Sequence, residues 1–226
     1  MLKYPMRINQ YLAKQKKATR RDADMFIQKK RVFINGKLAV LGDKVNENDK
    51  VEVRALIKPK KYIYMAYNKP KGQVTGEGLL IEKNIFPLGR LDQDSEGLMI
   101  LTNDGRITDG LLNPEFGHEK EYIVTVSEKL RPNFKEKMEA GVNIEGYKTR
   151  PCKVNILSEY TFKIILTEGK KHQIRRMCVA LFNQVKHLKR IRIMNIKLEN
   201  LASGSYREIQ GRELEIFLTS LLAPVQ

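Results

Sequence analysis

A short apolar run behind an acidic stretch rich in turn residues constrains the fold most. The stretch spans residues 86–97 and leads directly into Leu98-Met99-Ile100-Leu101. Glycine and proline predict a tight irregular loop, and four consecutive apolar residues bounded by turn signals predict a buried strand. A strand of this kind holds the loop before it on a rigid platform.

The predicted loop carries acidic side chains that suit catalysis. Asp92 lies two positions after Arg90 and two before Asp94. A single carboxylate on a fixed loop can serve as a nucleophile or as a base. Asp92 and Asp94 are also common turn residues that bond to their own backbone, and on this stretch alone that explanation is favoured.

The charge of the chain indicates a polyanionic partner. The 226 residues include 42 lysines and arginines against 26 acidic residues, a formal net charge of +16. An excess of this size is typical of nucleic-acid-binding proteins, and an anionic membrane is the second candidate. No apolar run approaches the roughly 18 residues of a membrane span, and the N-terminal residues lack the apolar core of a signal peptide. We therefore expect a cytoplasmic protein with no membrane association.

Cysteine and histidine are too sparse for a metal or disulfide framework. Cys152 and Cys178 are far apart, no Cys-x-x-Cys motif occurs, and the histidines are His118, His172 and His187. The cysteines are expected to be reduced and to pack as small apolar residues. The sequence predicts neither a metal site nor a cofactor.

Residues 1–55 predict a small domain with a basic helix. Residues 7–13 predict one short helix, and Thr19 is a candidate N-cap for a second, in which Ala23, Phe26 and Ile27 share a face. The other side of that helix carries the basic residues Arg20, Arg21, Lys29, Lys30 and Arg31. Single lysines on a helix are usually solvated, but this concentration favours contact with a phosphate backbone.

Turn signals complete this first domain and separate it from the second. Asn35-Gly36 predicts a two-residue hairpin between short strands, and residues 50–53 predict a further strand. Residues 56–61 contain Pro59 and three lysines and predict a linker. The remaining residues, 62–226, form the predicted second domain.

The second domain has the pattern of an α+β fold. Its apolar runs predict a large mixed, mainly antiparallel sheet with helices packed against it. The predicted strands are 62–67, 98–101, 122–126, 153–157, 162–166 and 191–198, and the predicted helical segments are 108–112, 132–140, 172–182 and 212–222.

One of these helices is expected to border a cleft. Its buried stripe consists of Ile174, Met177, Cys178 and Leu181. Arg175 borders that stripe, whereas Arg176 points away from it. Arg175 is therefore the arginine better placed to line a site.

Three sequence blocks resemble the signatures of one enzyme family. They are Asn68-Lys69-Pro70-Lys71-Gly72, Gly89-Arg90-Leu91-Asp92 and Lys171-His172-Gln173-Ile174-Arg175-Arg176-Met177. In this order and with these gaps they resemble the ribosomal RNA pseudouridine synthases, in the branch that holds small-subunit synthase A and large-subunit synthases B, E and F. Residues 118–122, 140–142 and 151–154 are most similar to large-subunit synthases of the F type. Residues 1–55 likewise resemble the S4 RNA-binding domain.

This resemblance implies an enzyme that isomerises a uridine of ribosomal RNA to pseudouridine, on a stem-loop of 23S rather than 16S RNA. It implies Asp92 as the nucleophile, at either C1′ of the sugar or C6 of the base, and Arg175 as the cation that keeps the carboxylate ionised. Tyr122 matches the active-site tyrosine that packs on the target base, although a core tyrosine on a strand is an equally ordinary explanation. The resemblance implies a monomer without metal or cofactor.

Other basic residues near these blocks are candidate RNA contacts. Arg90 can fill the space that a flipped-out uridine leaves, and a salt bridge to Asp94 or Glu96 is its equally favoured alternative. Lys69 and Lys71 are candidates for phosphate contact or for a solvated loop. Residues 74–86 are fewer than is usual in the resembled branch, which leaves their RNA contacts open.

Two other functions fit parts of the sequence. A non-catalytic RNA-binding protein would use the S4-like domain and the basic charge, but it has no need of Asp92, Tyr122 and Arg175 in their motif positions. A glycoside hydrolase would use Asp92 and Asp94 as its carboxylate pair. That function ranks far third, because sugar clefts usually contain tryptophan and this chain has none.

Overall fold

The computed structural model describes residues 3–15, 18–54, 61–77 and 84–222, and the chain folds into two compact units. One unit contains the described residues up to Tyr62, Asp104–Gly110 and the residues from Leu218 onward, and the other contains Ile63–Asn103 and Leu111–Phe217. Residues 56–60 of the predicted linker lie outside the described residues, so the predicted domain boundaries stay predictions.

The N-terminal unit contains the two helices and the short sheet that the sequence predicts. The elements are β1 (Met6–Arg7), α1 (Ile8–Lys14), α2 (Arg20–Gln28), β2 (Val32–Ile34), β3 (Lys37–Leu38), β4 (Lys44–Val45) and β5 (Val51–Val53). Strands β2, β3 and β5 form a three-stranded sheet in the order β3-β2-β5, and β1 pairs with β4. Strands β1 and β4 were not predicted, since two residues carry no periodicity.

The predicted cap of α2 is confirmed. The Thr19 hydroxyl accepts a hydrogen bond from the backbone N–H of Asp22 at 3.1 Å, and the Asp22 carboxylate accepts one from the Thr19 N–H at 3.4 Å. This reciprocal pair satisfies two otherwise free N–H groups. The helix ends at Gln28, so Lys29 and Lys30 follow it instead of extending its basic face.

The predicted Asn35-Gly36 hairpin is also confirmed. Asn35 has φ +51° and Gly36 has φ +78°, which is the left-handed backbone that a two-residue hairpin turn requires at both positions. The turn joins β2 and β3 in antiparallel register.

The rest of the chain supplies the large sheet and the helices against it. In order the elements are β6 (Tyr64–Lys69), β7 (Phe86–Leu88), β8 (Glu96–Thr102), α3 (Thr108–Leu112), β9 (Lys120–Val126), α4 (Phe134–Glu139), β10 (Asn143–Ile144), β11 (Tyr147–Lys148), β12 (Lys153–Ser158), β13 (Thr161–Leu166), α5 (Gln173–Ala180), β14 (Val185–Ile193), β15 (Ile196–Lys197), β16 (Tyr206–Glu208) and α6 (Gly211–Leu222).

Within the described residues, nine strands form one sheet. Its main path is β12-β13-β9-β14-β8-β6-β16, with β15 beside β14 and β7 beside β8. Strands β14 and β8 are parallel, and the remaining pairs are antiparallel. The prediction of a mixed, mainly antiparallel sheet is therefore confirmed.

The core contains the apolar residues that periodicity predicts. The run 98–101 is fully buried in β8, and Ile174, Met177 and Cys178 of α5 pack into the same core as Phe134 and Met138 of α4. Burial raises the pKa of the Cys178 thiol to about 12, so this cysteine behaves as a small apolar residue.

Two predicted segments differ in the structure. Residues 86–88, predicted as part of the loop, form β7 and pair with β8. Residues 191–198, predicted as one strand, form a hairpin that turns at Met194, whose φ is +52°. The alternation of apolar residues continues across this tight turn, so periodicity alone did not predict the turn.

Two absences hold for the described part of the chain. None of its helices has both the length and the apolar character needed to cross a membrane. No group of three or more histidine, cysteine, aspartate or glutamate side chains in it could hold a metal ion.

The close approach of β8 and β14 depends on Gly97. Its φ is +107°, and a Cβ at this position would lie 2.3 Å from the carbonyl oxygen of Arg190.

Gly97→Ala should therefore destabilise the protein by roughly 3 kcal/mol in urea denaturation. Gly204→Ala is the matched control, because Gly204 has φ +77° with open space around it. We expect the control to cost only about 1 kcal/mol, and equal costs would contradict the role of Gly97.

Candidate active site

Asp92 lies on residues 89–95, hereafter the Asp92 loop, between β7 and β8. A hydrogen bond of 3.0 Å from the Ser95 N–H to the Asp92 carbonyl closes a turn within the loop. Because β8 is buried along its length, the end of the loop is fixed to the core. The Asp92 side chain is 34% exposed, so a substrate can reach its carboxylate.

A buried lysine beneath the Asp92 loop holds its backbone. Lys69, the last residue of β6, is only 1% exposed. Its Nζ donates hydrogen bonds to the carbonyl oxygens of Ser95 at 2.7 Å, Pro70 at 3.0 Å and Gln93 at 3.3 Å. All three donors of the ammonium therefore have backbone acceptors.

This placement corrects the predicted phosphate contact of Lys69. The ammonium is enclosed and fully bonded, so it is not presented to an external phosphate. Burial lowers the pKa of Lys69, and the charges of Asp92, Asp94 and Glu96 oppose that shift. The neighbouring Lys71 is exposed and stays a candidate RNA contact.

Arg175 of α5 faces Asp92, as the helical register predicts. Its Nε lies 4.0 Å from Oδ2 of Asp92. Its Nη2 donates to the carbonyl oxygen of Asp94 at 3.1 Å and to Oγ of Ser95 at 3.3 Å. The guanidinium thus contacts the carboxylate and also fixes the loop that carries it.

His172 is a site residue to which the sequence analysis assigned no role. Its Nε2 lies 3.4 Å from Oδ1 of Asp92. His172 immediately precedes α5 with a left-handed φ of +51°, which turns the imidazole toward the carboxylate that Arg175 also faces. His172 lies three residues before Arg175 in the same sequence block, and this position could have indicated that it belongs to the site.

A buried carboxylate fixes the start of α5. Glu168 is 3% exposed and accepts hydrogen bonds from Nε2 of Gln173 at 2.8 Å, the Tyr147 hydroxyl at 2.5 Å and the Arg150 N–H at 2.9 Å. These bonds tie the first turn of α5 to the segment around β11. They therefore hold the part of the chain that presents His172.

A groove of about 280 Å³ adjoins this pair of basic residues. It is lined by His172 and Arg175 on one side and by the hairpin of β10 and β11 on the other. Arg176 borders it and pairs with Glu145 at 2.7 Å. Among the two neighbouring arginines of α5, Arg175 therefore lies beside Asp92, whereas Arg176 binds Glu145.

A second buried cation, Arg190 of β14, holds the start of the Asp92 loop and the strand β8 that follows the loop. It is 3% exposed. Its Nε donates to the carbonyl oxygen of Leu98 at 2.6 Å, and its Nη1 donates to that of Arg90 at 3.5 Å. Sequence reasoning missed this residue, because Arg190 lies just before the predicted alternating run 191–198 and nothing local indicates its distant partners.

Tyr122 of β9 lies two strands across the sheet from Gly97 of β8, which follows the Asp92 loop. It pairs with Arg190, which in turn pairs with Gly97 of β8, so about 10 Å separates the backbones of Tyr122 and Gly97. Tyr122 is 9% exposed and belongs to the core cluster that contains Leu91.

The remaining predicted RNA contacts are exposed. Arg90 is exposed, and within the described part of the chain it forms no salt bridge with Asp94 or Glu96, which was its alternative role. The N-terminal basic residues are also exposed and without acidic partners among the described residues. They are Arg20, Arg21, Lys29 and Lys30.

The arrangement suits attack by a single carboxylate. Asp92 is reachable, its backbone is fixed, and two basic side chains lie within 4.0 Å of its oxygens. The Arg175 guanidinium at this distance balances the charge of a carboxylate nucleophile and of the carboxylate as leaving group.

Family models match both parts of the chain. The model for RNA pseudouridylate synthase matches residues 63–180, and the model for the S4 domain matches residues 6–51. A solved structure described as a crystal structure of pseudouridylate synthase superposes with a TM-score of 0.70 at 29% identity, covering 93% of this chain and 98% of that chain.

Two named relatives cover nearly the whole chain. The chain is 40% identical over 223 residues to the dual-specificity RNA pseudouridine synthase RluF of Escherichia coli (strain K12), which covers 92% of this chain and 77% of the relative. It is 33% identical over 229 residues to the ribosomal large subunit pseudouridine synthase B of Bacillus subtilis (strain 168), covering 92% and 94%.

Proposed function

The chain belongs to the RNA pseudouridylate synthase family, and we propose that Asp92 is the nucleophile with which it isomerises uridine in ribosomal RNA to pseudouridine. The observation that supports this role is the meeting of Arg175 and His172 at one carboxylate on a loop held by buried cations. Exchange of the bond between base and sugar needs a nucleophile of this kind.

The reaction breaks the N1–C1′ bond and forms a C5–C1′ bond. Asp92 attacks either C1′ or C6 and is released again when the new bond forms, so the carboxylate is regenerated. The C5 hydrogen leaves as a proton and N1 gains a proton, which balances all atoms. Arg175 balances the charge of the carboxylate in both steps, His172 lies beside the other carboxylate oxygen, and Tyr122 packs on the target base.

We infer that the substrate is RNA of the large ribosomal subunit. A relative named for that subunit matches 92% of this chain, and the sequence blocks resemble large-subunit synthases of the F type. A stem-loop of 23S RNA is the proposed target, and the protein is expected to act in the cytoplasm as a monomer. The target uridine must leave its stack, and the exposed Arg90 is placed next to Asp92 to fill the space.

The S4 domain is proposed to hold the RNA backbone. The exposed basic residues at both ends of α2 present positive charge without acidic partners among the described residues. Such contacts bind phosphate without reading sequence. The same domain would suffice for a non-catalytic RNA-binding protein, so the activity itself must be tested at Asp92.

Asp92→Asn should abolish the reaction. The protein is incubated with unmodified ribosomal RNA that carries tritium at uracil C5, and the release of tritium is measured. We expect release by the wild type and at least about a 1,000-fold slower release by Asp92→Asn, because the amide cannot act as the nucleophile.

Asp94→Asn is the matched control, because Asp94 is an exposed acid in the same loop. It should release tritium at nearly the wild-type rate. Loss of release in both variants would indicate a general effect of loop charge, and release by Asp92→Asn would contradict the proposed nucleophile. No release by the wild type on RNA that it binds would favour the non-catalytic binder.

Removal of charge from α2 should flatten the salt dependence of RNA binding. Each phosphate contact contributes about 0.7 to 0.9 to the slope of log K against log salt. Arg20→Gln/Arg21→Gln should therefore lower the slope by up to about 1.8. The control Lys37→Gln/Lys44→Gln removes two exposed lysines of the same domain. Equal slopes for both double variants would contradict a specific role of α2.

A further inference from the structure

Near the start of β9, acidic side chains lie on one face of the sheet and basic side chains lie on the other. Glu119 and Glu121 lie on one face with Arg192, whose Nη2 is 2.9 Å from Glu119 and whose Nε is 2.7 Å from Glu121. Both acids are therefore neutralised on the face away from Tyr122.

The opposite face carries basic side chains without acidic partners among the described residues. Lys120 and Tyr122 occupy alternate positions of β9 and therefore share one face, and His118 lies two residues before Lys120. Nζ of Lys120 donates to the carbonyl oxygen of His118 at 3.2 Å. Burial and the neighbouring charge of Arg190 lower the pKa of Lys120 to about 8, which leaves it mainly protonated at pH 7.

An exposed aromatic ring stands beside these residues. Phe116 stacks on His118 with ring centroids 6.2 Å apart and an interplanar angle of 29°, and it is 40% exposed. Burial and the charge of Lys120 lower the pKa of His118, which favours the neutral imidazole. The pair therefore presents a flat surface next to a lysine charge.

The position of Phe116 is fixed by its surroundings. It ends a 3₁₀ turn, Pro114–Phe116, in which the Asn113 side chain accepts a hydrogen bond from the Glu115 N–H at 3.0 Å. Nη1 of Arg150 donates to the Pro114 carbonyl at 2.6 Å. A ring held in this way loses little conformational entropy when a ligand stacks on it.

The same surface adjoins the Asp92 loop. Arg190, whose charge acts on Lys120, donates from Nη1 to the carbonyl of Arg90. Its Nη2 is buried without a hydrogen-bond partner among the described residues, which leaves positive charge uncompensated on this side of the site.

We propose that Phe116, His118 and Lys120 form a subsite, the Phe116 platform, for an unpaired nucleotide of the RNA substrate next to the modified uridine. The base stacks on the exposed face of Phe116, and the phosphate binds Lys120. An aromatic face beside a lysine charge is the combination that recognises single-stranded nucleic acid. This inference rests on the proposed function, because it takes RNA as the ligand.

The platform is tested by RNA affinity and its salt dependence. Unmodified ribosomal RNA is titrated in filter binding with the full chain and with Phe116→Leu and Lys120→Gln. Loss of stacking should weaken binding by Phe116→Leu about 10-fold with an unchanged salt slope. Lys120→Gln should weaken binding and also lower the slope by about 0.7 to 0.9, since it removes one phosphate contact.

Matched controls are Phe182→Leu and Lys137→Gln, which change an exposed phenylalanine and an exposed lysine elsewhere in the same unit. Both should bind RNA like the wild type. Phe116→Tyr keeps the ring and should also retain affinity, which separates stacking from a folding defect. Wild-type affinity in Phe116→Leu or in Lys120→Gln would overturn the platform.

Failure of the platform is distinguishable from failure of the proposed function. Tritium release by the wild type tests the reaction, whereas filter binding tests the platform whether or not turnover occurs. Release together with unchanged affinities in both variants overturns only the platform. Absence of release together with weakened binding overturns only the reaction.

Discussion

The bonds between the Lys69 ammonium and three backbone carbonyls are the interaction on which the site depends. An irregular loop cannot pair its carbonyls as a strand does, and each buried carbonyl without a donor costs about 1–3 kcal/mol. Lys69 supplies donors beneath the Asp92 loop, Arg190 supplies them to Arg90 at its start and to Leu98 in the following strand, and Arg175 supplies them on the side of α5. Because these side chains hold backbone atoms, the carboxylate of Asp92 is left free to react.

This arrangement divides the large positive charge of the chain between two tasks. Lys69 and Arg190 are buried and hold the loop, so net charge alone overstates the number of RNA contacts. Arg20, Arg21 and other exposed basic residues remain for the phosphate backbone. The acidic residues around Asp92 partly offset the cost of burying Lys69, because opposite charges favour its protonated form. The buried cations therefore hold the Asp92 loop, and the acidic residues of the loop region in turn favour the protonated form of Lys69.

Local features of the fold could be predicted from the sequence, because their causes are local. The Thr19 cap, the Asn35-Gly36 turn and the buried run of β8 each follow from neighbouring residues. Burial of Lys69 and the parallel pairing of β8 with β14 could not be predicted, since they depend on partners far away in sequence. The placement of Arg175 was predictable because helical register separates it from Arg176, whereas the left-handed backbone that turns His172 toward Asp92 leaves no periodic signal.

The most direct test is the single-turnover rate of Lys69→Met on C5-tritiated ribosomal RNA at saturating protein, measured where thermal denaturation shows the variant to be folded. Saturation isolates the chemical step from binding. We predict a rate about 100-fold below wild type, because a displaced loop misplaces the nucleophile, with unchanged RNA affinity. Lys71→Met, which changes the neighbouring exposed lysine, should leave the chemical step at its wild-type rate. A wild-type rate in Lys69→Met would contradict the claim that the buried ammonium positions Asp92.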